Sequence, residues 1–83
     1  MMTTLQTVRL NGADREVAAG STLRDLVSDL TGHVLRDDGS RVDGGRLGIA
    51  AALGGAVVPR SQWAVCTVAD GDEVEIVTAV QGG

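Results

Sequence analysis

The sequence predicts a two-layer α+β domain in which about five strands wrap one helix, and three observations predict it. Short runs of alternating or β-branched residues are separated by Asn11-Gly12, Gly54-Gly55 and Asp70-Gly71. One stretch alone, within residues 20–32, repeats its apolar residues at helical spacing. The chain of 83 residues is 43% hydrophobic but only 1% aromatic, so Val, Leu, Ile and Ala must build the core. Such a core suits a thin sheet with one covering layer and leaves little material for a deep ligand pocket. A single domain, 1–83, is expected, because small domains bury only about 60% of the surface their unfolded chains expose.

From Thr4 to Leu10 the residues alternate, with Val8 and Leu10 on one side and Thr7 and Arg9 on the other. Asn11-Gly12 then predicts a two-residue hairpin turn, whose central positions need positive φ, and "DREVA" returns as the second strand. In "GSTLRDLVSDLTG" Leu23, Leu26, Val27 and Leu30 fall on one helical face. Ser21 or Thr22 caps the start, Thr22 and Asp25 have the spacing of a capping box, and Gly32 supplies the left-handed stop. A helix of about ten residues is marginal alone, so that face must lie on a sheet.

The segment His33 to Arg46 carries mixed charge, three glycines and no sustained period, and reads as an exposed loop with at most one weak turn. "GIAAAL" and "AVVP" flank Gly54-Gly55 as a second hairpin, which Pro59 ends by withholding an amide donor. "RSQWAVCTVADGD" reads as an irregular connection. The closing run "EVEIVTAV" is the strongest strand of the chain, with Val74, Ile76 and Thr78 on one face. It is expected to be a central strand that anchors a flexible tail, residues 79–83.

Charge and composition exclude several function classes. Arg supplies all seven positive charges against eleven carboxylates, a net charge of −4, and no basic stripe offers itself to a nucleic-acid backbone. An acidic surface suits a basic partner surface or serves solubility alone. No run approaches the roughly 20 apolar residues that span a bilayer, and "MMTTLQTVRL" has no leader-like pattern. Cys66 is the single cysteine, which excludes an internal disulfide and paired-cysteine metal sites, and a cytoplasmic location is the expectation.

The side chains offer no catalytic constellation. His33 is the single histidine and is expected to face solvent beyond the helix C-terminus. Cys66, within "WAVCTV", reads as a buried inert thiol, and Trp63 as a packing residue. Asp37-Asp38 and the group Asp70, Asp72, Glu73 and Glu75 lack calcium-loop spacing and read as solvated surface. The chain's end remains. The Gly83 α-carboxylate, with a reference pKa of about 3.5, is ionised at neutral pH and unreactive as an electrophile until activated. Gly82 and Gly83 bring no side chains to a narrow channel. Released from the sheet, Thr78 to Gly83 would reach about 20 Å at ~3.3 Å per residue.

Four stretches, "VRLNGADREV", "STLRDLVSDL", "GIAAALGGAVVPRSQW" and "DGDEVEIVTAVQGG", resemble the ThiS family of thiamine-biosynthesis sulfur carriers, within the ubiquitin-like β-grasp group. The specific part is Gly48-Ile49-Ala50, Val57-Val58-Pro59-Arg60-Ser61 and Trp63, together with the closing diglycine. The sequence departs from the family in a longer, more charged His33–Arg46 loop and in Gly54, where Asn is common. The resemblance implies a β-grasp fold with a mixed sheet, and a carrier rather than an enzyme. It implies that an E1-like adenylyltransferase uses ATP to activate Gly83, that sulfur from cysteine, through a cysteine desulfurase, makes a thiocarboxylate there, and that thiazole synthase receives the sulfur. Val80, Gln81 and Gly82 would be the stretch inserted into partner sites, with no metal and no cofactor bound by the domain itself. Alternatives are a β-grasp carrier for molybdopterin or another thiolated product, a ubiquitin-like protein modifier, and a binding module that recruits a partner along its sheet edge.

Overall fold

A computed structural model describes residues 4–78. Strands β1 (Leu5–Leu10) and β2 (Ala13–Ala18) form the first hairpin, with Leu5 opposite Ala18 and Leu10 opposite Ala13. Its turn has Asn11 at φ 51° and Gly12 at φ 83°, the double positive φ expected of Asn-Gly. Helix α1 (Leu23–Thr31) follows, then strands β3 (Ile49–Leu53) and β4 (Ala56–Val58), a 3-10 helix (Arg60–Val65) and strand β5 (Glu73–Thr78). The sheet order is β2-β1-β5-β3-β4. β5 runs parallel to β1 and antiparallel to β3, so the sheet is mixed and the last strand is central, as expected.

The helix forms where its pattern and caps predict. Thr22 Oγ1 accepts a hydrogen bond from the Asp25 amide at 3.2 Å, and Asp25 Oδ2 accepts one from the Thr22 amide at 3.0 Å, which completes the capping box. Gly32 closes the other end in the left-handed conformation. Leu23, Leu26 and Val27 bury one face of α1 against Val8, Leu10, Val74 and Ile76 of the sheet in one contiguous core. The start of the helix is tied to the later chain as well: the Leu23 amide donates to the Cys66 carbonyl at 2.9 Å and the Val68 amide to Ser21 at 2.9 Å. Trp63, 1% exposed, sends its Nε1–H to the Val58 carbonyl at 3.0 Å and so joins the 3-10 helix to edge strand β4. Packing and the indole donor are satisfied together, as a buried tryptophan requires.

Three expectations need correction. Leu30, placed on the buried face by its spacing, is 44% exposed; periodicity identifies a face but not how far the layer beneath it extends. The stretch after Pro59, expected to be irregular, contains the 3-10 helix, whose short i to i+3 turns leave no amphipathic repeat to detect. The His33–Arg46 segment is more built than an open loop. Leu35 is 7% exposed and belongs to the core, bridges Arg41, and the Val42 amide donates to Val34 at 2.9 Å. Gly39, at φ +84°, packs so closely on Arg60 that a Cβ would lie 2.7 Å from its carbonyl oxygen, so only glycine fits there.

Replacing Trp63 with Ala is expected to cost about 3–5 kcal/mol, and replacing Leu30 with Ala no more than about 0.5 kcal/mol, in urea unfolding followed by circular dichroism. Comparable losses at the two positions would place Leu30 in the core after all.

Candidate functional site

The local structure around the end of β5 decides what the expected reactive tail is attached to. On one side the ladder with β3 runs from Val74 opposite Leu53 to Thr78 opposite Ile49. On the other side the ladder with β1 ends early, at Arg9 opposite Glu73 and Leu10 opposite Val74, because the chain turns away at Asn11. Asn11 extends that ladder in two ways. Its backbone amide donates to the Val74 carbonyl at 2.9 Å. Its side-chain Oδ1 accepts from the Ile76 amide at 2.9 Å, while Nδ2 donates to the Ile76 carbonyl at 3.1 Å. The carboxamide therefore takes the place of the peptide group that a continuing β1 would have offered.

Thr78, counted with the released stretch by its position in the sequence, is held in the ladder opposite Ile49. The stretch that can leave the sheet starts no earlier than residue 79. Five residues span at most about 17 Å at ~3.3 Å each, rather than 20 Å. Val80, Gln81, Gly82 and Gly83, expected to carry the chemistry and the partner contacts, lie outside the described residues.

The outward face of the sheet changes character beside this exit. Val77 is 56% exposed and lies opposite Ala50, and Val57, 75% exposed, lies opposite Ala52. Toward β1 and β2 the same face carries Glu73, Glu75, Asp14 and Glu16, all exposed. An apolar patch thus adjoins the end of β5, next to a charged area in which these four carboxylates surround the exposed Arg9, opposite both Asp14 and Glu73.

The other candidate residues are dispersed and engaged in structure. His33, expected to face solvent, is half-buried; its amide donates to Thr31 Oγ1 at 3.3 Å and its carbonyl accepts from Ser28 Oγ at 2.6 Å. Cys66, expected to be buried, is a partly buried free thiol that packs against the core and whose carbonyl receives the helix. Trp63 is a packing residue, as expected. Asp37 pairs with Arg24 of α1, whereas Asp38 turns to Ser40, so the two neighbours do not converge. Asp70 Oδ1 accepts from the Thr7 amide and Asp72 Oδ2 from the Ala69 amide, each at 2.8 Å, which fixes the turn into β5. Among the described residues no group of three or more His, Cys, Asp or Glu side chains is placed to hold a metal ion, and no helix is long and apolar enough to cross a membrane.

Two carboxyls in the 33–46 segment are held below the usual aspartate range. Asp38 is lowered by the Ser40 hydroxyl and amide, and Asp43 by the Arg41 guanidinium and the Gly45 amide. Both are surface groups that shape their own loop. Sequence reasoning identified Asn11 as a turn residue and missed its side-chain bonds to Ile76; the available signal was an Asn where the second hairpin manages with Gly54.

Comparison with known proteins agrees with the topology. The model of the ThiS family matches residues 8–83. Over 76 residues the chain is 30% identical to the sulfur carrier protein ThiS of Escherichia coli (strain K12), covering 92% of this chain and 97% of the relative. The crystal structure of the thiamine biosynthesis protein ThiS from Geobacter metallireducens superimposes with a TM-score of 0.68 at 26% identity, covering 94% of this chain and all of the other.

Because both aspartate pKa values are depressed in the fold, the order they lend the loop is present above the ordinary value of 3.8 and is lost as pH falls through the lowered values. Amide exchange protection at Ser40 and Gly45 is expected to fall below that pH while protection at Val8 holds; unchanged protection at Ser40 and Gly45 would contradict the assignment.

Proposed function

The chain belongs to the ThiS family, and from that membership we propose that it is a sulfur carrier of thiamine biosynthesis whose reacting group is the Gly83 carboxylate. The observation that carries the proposal is the extent of the family match, which runs through Gly83 and so includes the diglycine. A carboxylate oxygen attacks the α-phosphate of ATP in the site of an E1-like adenylyltransferase, and pyrophosphate leaves. The acyl-adenylate now has a good leaving group. The outer sulfur of a cysteine persulfide made by a desulfurase displaces AMP, which carries one carboxylate oxygen away; a second thiol then attacks the cysteine sulfur of the resulting acyl disulfide, forming a disulfide with it and releasing a thiocarboxylate at Gly83. That group is the stronger nucleophile and delivers its sulfur to thiazole synthase.

The geometry at the end of β5 supports this division of labour. The strand is fixed on both sides as far as Ile76 and on the β3 side as far as Thr78. Val80, Gln81 and Gly82 then form the stretch that enters partner sites, and the apolar patch at Val77, Ala50 and Val57 lies where an approaching enzyme would meet the domain. ATP is bound and consumed by the partner, and the domain acts as its co-substrate.

Incubation of the full chain with its adenylating enzyme, ATP, a cysteine desulfurase and cysteine is expected to raise the intact mass by the difference between one sulfur and one oxygen, located at Gly83. An unchanged mass with an enzyme shown to be active would sink the proposal, and attachment to a lysine of another protein would point to a modifier instead. Deleting Gly83 removes no apolar side chain, so the melting temperature should stay within about a degree while sulfur loading is abolished. Loading of the shortened chain would contradict the assigned residue.

A further inference from the structure

We infer that Asn11 is a positioning residue for the transfer reaction: its carboxamide fixes the last strand at Ile76 and so steadies the strand end to which residues 79–83 are joined. The inference rests on the sulfur-carrier reading and deepens it. The turn between β1 and β2 requires only positive φ at two positions, and the hairpin between β3 and β4 meets the same need with Gly54 at φ 59° and Gly55 at φ 85°. The side chain of Asn11 is therefore surplus to the turn. What it adds is a donor and an acceptor, 3.1 and 2.9 Å from the carbonyl and amide of the same residue, Ile76.

Without that side chain the β1 side of the ladder would stop at Val74, whose carbonyl takes the Asn11 amide. Residues 75–78 would then hang on β3 alone, through pairs such as Ala51–Ile76 and Ile49–Thr78. A strand end held along one edge swings and frays more readily than one held along both, since each missing hydrogen bond lowers the cost of local opening. Residues 79–83 are joined to that end. A partner enzyme that takes the tail in one orientation then finds a smaller competent fraction, and its apparent affinity falls by that fraction while the bound complex reacts as before.

The test uses the full chain with Asn11→Gly, which keeps the positive φ and removes both side-chain bonds. The Ile76 amide is expected to exchange with solvent at least about five-fold faster while the Val8 amide does not change. In ATP–pyrophosphate exchange with the E1-like enzyme, KM for the carrier is expected to rise about five- to ten-fold, with kcat within about two-fold of wild type. Asn11→Asp, which keeps an acceptor but at neutral pH turns a carboxylate toward the Ile76 carbonyl, should raise KM as well, and it carries the test if the glycine variant does not fold. Val17→Ala thins the core on β2 without touching β5; it should lower the melting temperature and leave KM unchanged. Wild-type KM in a folded Asn11 variant, or an equal rise in Val17→Ala, overturns the inference. A wild-type chain that the active enzyme does not adenylate overturns the sulfur-carrier reading itself, and this inference with it.

Discussion

The whole sheet depends on one strand being central. Among the described residues the β1–β2 hairpin and the β3–β4 hairpin have no pairing with each other, and β5 alone joins them. Its inward residues Val74 and Ile76, 1% and 5% exposed, lie in the core with α1. If β5 were withdrawn, two hairpins would each show an open edge and an uncovered apolar face, a state prone to pairing with other chains. The stability of the domain and the anchorage of its final residues are thus one property. The most firmly held strand is also the one that carries the tail.

That arrangement explains why the side chains do so little chemistry. The two aspartates ahead of β5 are engaged in holding its entry turn, Asp70 on Thr7 and Asp72 on Ala69. The single histidine and the single cysteine serve mainly through their backbones, at the end of α1 and at its start. The chain belongs to a family of sulfur carriers rather than catalysts, and its described side chains serve the fold. The outward face of the sheet sets exposed Val77 beside Glu73 and Glu75, with Arg9 opposite Glu73. Such a surface offers a partner both burial and steering.

Much of the fold was legible because local signals agreed with each other. Asn11-Gly12 has one good use between two alternating runs, and Thr22 with Asp25 announced a capping box that the backbone then adopts. What stayed hidden was set by partners distant in sequence. Leu30 continues the helical stripe, yet whether sheet lies beneath it is a tertiary matter. Leu35 enters the core from a segment whose charges and glycines masked it, and Gly39 is required by Arg60, far along the chain. At the candidate site the diglycine is readable directly, but how far the last strand stays paired is not, because the register that sets Thr78 opposite Ile49 cannot be seen in one strand's composition. The order of strands itself came from pairing between chain ends, for which no local pattern exists.

The central place of β5 also orders events in time. Both hairpins and the helix are synthesised before the strand that joins them, and the contact of Arg9 with Glu73 closes about three quarters of the chain's length. Such non-local pairing is slow, since the entropy of closing the intervening loop is lost before the new contacts repay it. Until then the newborn chain has two unjoined sheet edges and no anchored end. Completion of the fold and the fixing of Thr78 opposite Ile49 therefore coincide. The strand order thus makes the end of the described chain the last part to be held in place.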